Sequence, residues 1–182
     1  VPILIEAPTP VADFGDSAVG CEPLQVTFKN KTLYGQTYNW DLGDGGRSNS
    51  ENPTHTYFNA REYTVTLNVV GFPPGKTDSI TKLNYIKVNK EPTAYFITST
   101  SKVFIPNDPV VFSNRSRDAD SYRWEFGDGN SSAEQSPTYF YTEEGEFRVL
   151  LIAYTNEGCV DSTYAPTDVI AELEGKVLVP NA

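Results

Sequence analysis

Apolar and polar residues alternate along much of this chain with a period of two, the signature of a β-strand with one buried face. In "EYTVTLNV", Tyr63, Val65, Leu67 and Val69 fall on one face and Thr64, Thr66 and Asn68 on the other. "TYNWDL" sets Tyr38, Trp40 and Leu42 against Asn39 and Asp41, and "LQVTF" turns Leu24, Val26 and Phe28 inward. No stretch carries a helical period. Short alternating runs between turn residues predict an all-β chain of antiparallel two-sheet sandwiches, each with about seven strands.

The pattern occurs twice. A shift of 84 residues carries Val26, Phe28 and Asn30 onto Val110, Phe112 and Asn114, and Tyr38 and Trp40 onto Tyr122 and Trp124. The same shift lays Gly43, Asp44 and Gly45 on Gly127, Asp128 and Gly129, "NPTHTY" on "SPTYFY", and "EYTVTL" on "EFRVLL". Nearby shifts pair "PVADF" (from Pro10) with "PTAYF" (from Pro92), and Gly75, Asp78 and Ser79 with Gly158, Asp161 and Ser162. The predicted organisation is a leader over 1–9, sandwiches over 10–90 and 91–173, and a linker over 174–182. "NKEP" (Asn89–Pro92) is too short a joint to give the domains much freedom, and it predicts an end-to-end tandem.

Composition narrows the chemistry. The 182 residues carry 14 Lys and Arg against 24 Asp and Glu, a net charge of −10, which argues against a nucleic-acid partner. No apolar run approaches the ~20 residues of a membrane-spanning helix. The absence of Met and the opening on Val1 read as a piece excised from a longer chain. One histidine, His55, and two cysteines, Cys21 and Cys159, exclude a Cys/His zinc site and leave any Ser-His-Asp triad dependent on His55. No phosphate-binding glycine loop is present. The chain reads as non-catalytic.

"YNWDLGDGGRSNSENPTHTYFNAREYTVTLNV" resembles the PKD (polycystic kidney disease) domain family, whose signature runs W-D-F-G-D-G, N-P-x-H-x-Y, Y-T-V-x-L-x-V. "YRWEFGDGNSSAEQSPTYFYTEEGEFRVLLIA" follows it more loosely, with Glu125 for the first Asp and Tyr139 for the His. The resemblance spans roughly residues 10 to 172 and implies immunoglobulin-like β-sandwiches serving as extracellular spacers or interaction modules. "GCEPLQVTF" and "NEGCVDS" resemble PKD repeats of large Bacteroidetes surface proteins. "VLVPNA" resembles the opening of the gliding-motility-associated C-terminal domain, a type IX secretion signal. These likenesses imply a secreted or cell-surface stalk whose partners are its neighbouring domains, the secretion machinery, or a surface protein or glycan.

Within that frame Trp40, Gly43, Asp44, Gly45, Trp124, Gly127, Asp128 and Gly129 are structural: the glycines supply positive φ, the carboxylates accept turn amides, and the indoles enter the core. The competing reading of Asp41, Asp44 and Asp128, with Asp118 and Asp120 in "RSRDADS", is a calcium site of oxygen ligands, calcium being the one cofactor these residues suggest. His55 reads as a packing residue, since Tyr139 replaces it in the second copy. Cys21 matches Ile105 and Cys159 matches Lys76, so each copy holds one cysteine the other lacks. The immunoglobulin-like topology puts the two at facing poles of an end-to-end tandem, and an oxidising compartment would let them form a disulfide. In "EFRVLLIAY", Arg148, Leu150, Ile152 and Tyr154 occupy outward positions, a more apolar face than Thr64, Thr66, Asn68 and Val70 present; it needs a cover or a partner. Ser17, Ser79 and Ser162 follow Asp in D-S-x strings resembling a Bacteroidetes O-glycosylation sequon, each expected in a loop or at a loop edge.

Overall fold

The computed structural model describes residues 7–72 and 75–174 and divides into two compact units, Val1–Lys90 and Glu91–Ala182. All regular structure among the described residues is β. The leader residues 1–6, Pro73, Pro74 and the 175–182 part of the expected linker lie outside the described residues.

Unit 1 contains β1 (Phe14–Gly15), β2 (Ala18–Cys21), β3 (Leu24–Thr27), β4 (Lys29–Asn30), β5 (Gly35–Asp41), β6 (Arg47–Ser48), β7 (Thr54–Tyr57), β8 (Glu62–Gly71) and β9 (Thr77–Asn89). One sheet runs β2-β9-β8-β5-β6; facing it are the pairs β1-β4 and β3-β7. β3 and β4 form a single run interrupted at Phe28, whose amide still reaches the Pro53 carbonyl at 2.8 Å. Such interruptions raise the number of segments above the seven strands expected. The register Trp40↔Leu67 and Tyr38↔Val69 brings the predicted inward residues together. Trp40 is fully buried, with Phe14 edge-on at 5.1 Å and Phe28 tilted at 5.6 Å.

Unit 2 repeats the plan with β10 (Phe96–Thr98), β11 (Lys102–Ile105), β12 (Val110–Asn114), β13 (Ser121–Glu125), β14 (Ser131–Ser132), β15 (Thr138–Tyr139), β16 (Gly145–Phe147), β17 (Leu150–Tyr154), β18 (Val160–Tyr164) and β19 (Val169–Leu173). Its sheets are β10-β12-β15, β11-β19-β16 and β14-β13-β17-β18. Trp124 is buried against Phe96 at 4.9 Å and Phe112 at 5.4 Å, repeating the first unit's cluster.

Three expectations need correction. Pairing is not wholly antiparallel: β2 runs parallel to β9, and β11 to β19. In unit 1 the chain leaves β1 through Asp16, in left-handed conformation (φ 67°), and so reaches the other sheet. The run "EFRVLLIAY" is not one strand, because it breaks at Arg148 and Val149, leaving Arg148 outside both β16 and β17. The matching place in unit 1 is a bulge. There the ladder jumps from Tyr63↔Ile86 to Val65↔Lys82, and Asn84 takes a left-handed φ of 49°. Lastly, Ser79 lies within β9 and Ser162 at the centre of β18, and only Ser17 is in a loop.

Candidate functional site

The acidic turn is built alike in both units. After β5 the chain folds back through Gly43 (φ 88°) and Gly45 (φ 96°), and after β13 through Gly127 (φ 89°) and Gly129 (φ 92°). Only glycine adopts such angles without strain. A Cβ on Gly43 would lie 2.3 Å from the Thr64 carbonyl oxygen, and one on Gly127 would lie 2.8 Å from the Arg148 amide nitrogen. The first glycine of the turn is therefore seated against the β8 bulge in unit 1 and against the break between β16 and β17 in unit 2.

The carboxylates close these turns. Asp41 Oδ1 accepts from the Gly43 amide at 3.0 Å, and Asp44 Oδ1 from the Gly46 amide at 2.8 Å. His55 Nε2 donates to Asp44 Oδ2 at 2.6 Å. In unit 2, Asp128 accepts from the Asn130 amide at 3.0 Å, from Asn130 Nδ2 at 3.1 Å and from Tyr139 Oη at 2.5 Å. Burial raises the Asp44 carboxyl, but the His55 ring and the Gly46 amide outweigh it and hold its pKa below the ordinary value. Asp128 follows the same balance, with Tyr139 and Asn130 as its donors. Burial, then the Asp128 carboxylate, push the Tyr139 hydroxyl up to about 12, so it remains a donor across neutral pH.

Two further pairs of tyrosines and tryptophans stitch each turn to the core. Tyr57 and Tyr141 are buried and each donates at 2.9 Å, to the Leu42 and Phe126 carbonyls. Trp40 and Trp124 Nε1 donate at 2.9 Å to the Ser50 and Glu134 carbonyls. Buried polar atoms need such partners.

The calcium candidates are dispersed. Asp120 accepts from the Asn156 amide at 2.8 Å, and Asp118 sits at φ 55°. Among the described residues no group of three or more Asp, Glu, His or Cys is placed to hold a metal ion. Cys21 ends β2, while Cys159 is buried just ahead of β18; neither is a free thiol. The aspartates of two D-S-x strings tie the chain across the fold, since Asp78 Oδ2 accepts from the Ala12 amide and Asp161 Oδ2 from the Ala94 amide, both at 2.8 Å. Ser17, Ser79 and Ser162 are exposed.

The outward column of β17 holds Leu150, Ile152 and Tyr154, all half-buried, opposite Glu125, Arg123 and Ser121 on β13 and Tyr164, Ser162 and Val160 on β18. Arg148 lays its guanidinium 4.2 Å over the Tyr164 ring. The column is thus one surface, partly shielded by long charged side chains.

What sequence reasoning missed is the partner of Asp44. The signal lay in the copies: where unit 1 has Gly46 and His55, unit 2 has Asn130 and Tyr139.

The PKD domain family matches residues 7–88 and 89–170. Among curated proteins, collagenase ColA of Clostridium perfringens is 32% identical over 97 residues, 51% of this chain and 9% of the collagenase. The microbial collagenase of Vibrio alginolyticus is 35% identical over 88 residues, 46% of this chain and 11% of the enzyme. The chain thus spans about a tenth of the length of these relatives. Among solved structures, the PKD1 domain of Vibrio anguillarum Epp is 30% identical with a TM-score of 0.38, covering 45% of this chain and 96% of that domain. The PKD1 domain of the Vibrio cholerae metalloprotease PrtV is also 30% identical, with a TM-score of 0.37, covering 44% and 98%.

Proposed function

The chain belongs to the PKD domain family as a tandem of two such domains, and from that premise we propose that it is a non-catalytic extracellular spacer. One observation carries the reading: the groups that looked chemically equipped are spent on internal bonds. Asp44 and Asp128 close turns, His55 is bound to Asp44, and both tryptophans are buried. The collagenase relatives, in which the match occupies about a tenth of the length, support a segment serving a larger secreted polypeptide. No helix among the described residues is long and apolar enough to cross a membrane.

The finer reading, a stalk in a Bacteroidetes surface protein that positions an upstream region relative to a type IX secretion signal, rests on the sequence strings "GCEPLQVTF", "NEGCVDS" and "VLVPNA". The test exchanges the tandem, within the longer polypeptide this reading implies, for two unrelated immunoglobulin-like sandwiches of equal length. Export and upstream activity survive that exchange if the segment is a spacer, and fall when a Gly/Ser linker replaces it. Loss on the sandwich exchange would sink the spacer reading.

A second reading, a protein- or glycan-binding module, is favoured by the column Leu150, Ile152 and Tyr154 with Arg148 at its margin. Alanine substitution at Ile152 that abolishes upstream function without altering stability would select it.

A further inference from the structure

Unit 2 carries a second exposed surface, on the opposite sheet, that the spacer role does not use. Strand β10 and the segment before it pair with β12 and the segment after it, setting Thr93 opposite Arg117 and Ile97 opposite Ser113; the Arg115 amide donates to the Tyr95 carbonyl at 2.8 Å. Thr93, Tyr95, Ile97, Arg115 and Arg117 thereby line an open cleft of about 530 Å³. Tyr95 is 56% exposed and Ile97 44%.

Neither arginine forms an ion pair or a side-chain hydrogen bond among the described residues, although the chain carries a net charge of −10. In such an acidic protein, two unneutralised guanidinium groups side by side are a local reversal of charge. Unit 1 shows the contrast. There the equivalent positions are Asp13, Gly15, Lys31 and Leu33, and the site is self-satisfied: Asp13 pairs with Lys82 at 3.0 Å and Lys31 with Asp16 at 3.9 Å. The Lys31 side chain also lies over Gly15, filling the place a larger residue would take. Unit 2 has Ile97 there and leaves the cleft open.

We propose that this cleft binds the carboxylate-bearing sugars of an acidic polysaccharide. A guanidinium takes a carboxylate through paired parallel hydrogen bonds. Arg115 and Arg117, two residues apart on one face, stand about 7 Å apart at the backbone and present two such forks in a row. The Tyr95 ring beside them, extended by Ile97, is an apolar platform for the C–H face of a sugar ring. An acidic peptide fits less well, because peptides added to a sheet depend on unpaired backbone groups. Within the cleft the backbone groups of Thr93 and Tyr95 are taken: Thr93 exchanges both backbone bonds with Arg117, the Tyr95 carbonyl takes the Arg115 amide, and the Tyr95 amide reaches Ser116 Oγ at 3.2 Å. Recognition at this site falls to side chains.

The test is affinity electrophoresis of the whole chain in gels containing polygalacturonate, dextran or poly-L-glutamate at low ionic strength. Polygalacturonate should retard the chain and dextran should not, with the retardation fading as salt is raised. Joint replacement Arg115→Gln and Arg117→Gln should weaken binding ~30-fold or more, and Tyr95→Ala should weaken it without altering the charge. Lys31→Gln, the equivalent position in unit 1, should leave it unchanged. All these side chains are exposed, and an unchanged thermal transition verifies the fold. No retardation by polygalacturonate, retardation indifferent to the double arginine replacement, or equal retardation by poly-L-glutamate would each overturn the proposal.

Discussion

Gly43 and Gly45 stand two residues apart in one turn, both at positive φ, and alanine should cost very different amounts at the two. At Gly45 the space where a Cβ would go is empty within 4 Å, so the substitution carries only the conformational penalty of a left-handed angle, about 1–2 kcal/mol. At Gly43 the same penalty applies, and the new Cβ would also sit 2.3 Å from the Thr64 carbonyl oxygen. That oxygen is main chain of β8 at its bulge, between the paired residues Tyr63 and Val65, so no side-chain rotation relieves the contact and overpacking adds about 1–3 kcal/mol. The expected losses are about 1–2 kcal/mol for Gly45→Ala and about 2–5 kcal/mol for Gly43→Ala. Urea unfolding of the whole chain, with Trp124→Phe so that Trp40 reports on unit 1, measures both. With a slope of about 1–2 kcal/mol per molar urea, the midpoint Cm should fall by roughly 1 M and 2 M or more, at constant slope. Unit 2 supplies a parallel case, Gly127 being crowded by Arg148 and Gly129 open. Equal midpoint shifts for Gly43→Ala and Gly45→Ala would refute the claim that the turn is held against β8.

The acid side of the stability curve should reflect the two turn carboxylates. Asp44 and Asp128 have folded pKa values below the ordinary 3.8, so each contributes stability above that value and loses it as pH falls through the lowered one. Asp44→Asn and Asp128→Asn should therefore destabilise the chain at neutral pH, with the gap to the parent closing on acidification; a gap constant with pH would remove the carboxylates from the account. Tyr57→Phe and Tyr141→Phe each strip the donor from a buried carbonyl and should cost about 1–3 kcal/mol in the same urea assay. A change within experimental error at both positions would mean those carbonyls find water instead.

Much of the fold was legible because its signals are local. A period of two marks a strand face wherever a sheet has one dry side, and this placed Val65, Leu67 and Val69 inward without any knowledge of their partners. The glycines of "GDG" announce positive φ by their lack of a Cβ, and the repeat confirmed them. Features created by pairing between distant segments were not legible in the same way. The parallel pairing of β2 with β9, the bulge at Asn84 and the break at Arg148 depend on how two strands meet, which a single strand's pattern does not encode. The same limit put Ser79 and Ser162 in loops: an Asp-Ser pair looks like turn chemistry until Asp78 and Asp161 are seen reaching across to the Ala12 and Ala94 amides.

The closing of the acidic turn lies between these cases, because the two copies differ there in a correlated way. In unit 1 a Cβ on Gly46 would lie 2.7 Å from His55 Cε1, so the imidazole that reaches Asp44 requires a glycine beneath it. In unit 2 the phenol of Tyr139 reaches Asp128, and the Asn130 side chain occupies the room, donating to Tyr139 Oη at 2.7 Å and to Asp128 at 3.1 Å. Glycine with histidine and asparagine with tyrosine are thus two solutions to one problem, the satisfaction of a half-buried carboxylate. Mixing them tests the coupling. Gly46→Asn alone should clash with His55 and destabilise unit 1, whereas Gly46→Asn with His55→Tyr should recover most of the loss. A double-mutant cycle with no coupling energy would show that the two positions vary independently and that the turn does not depend on their fit.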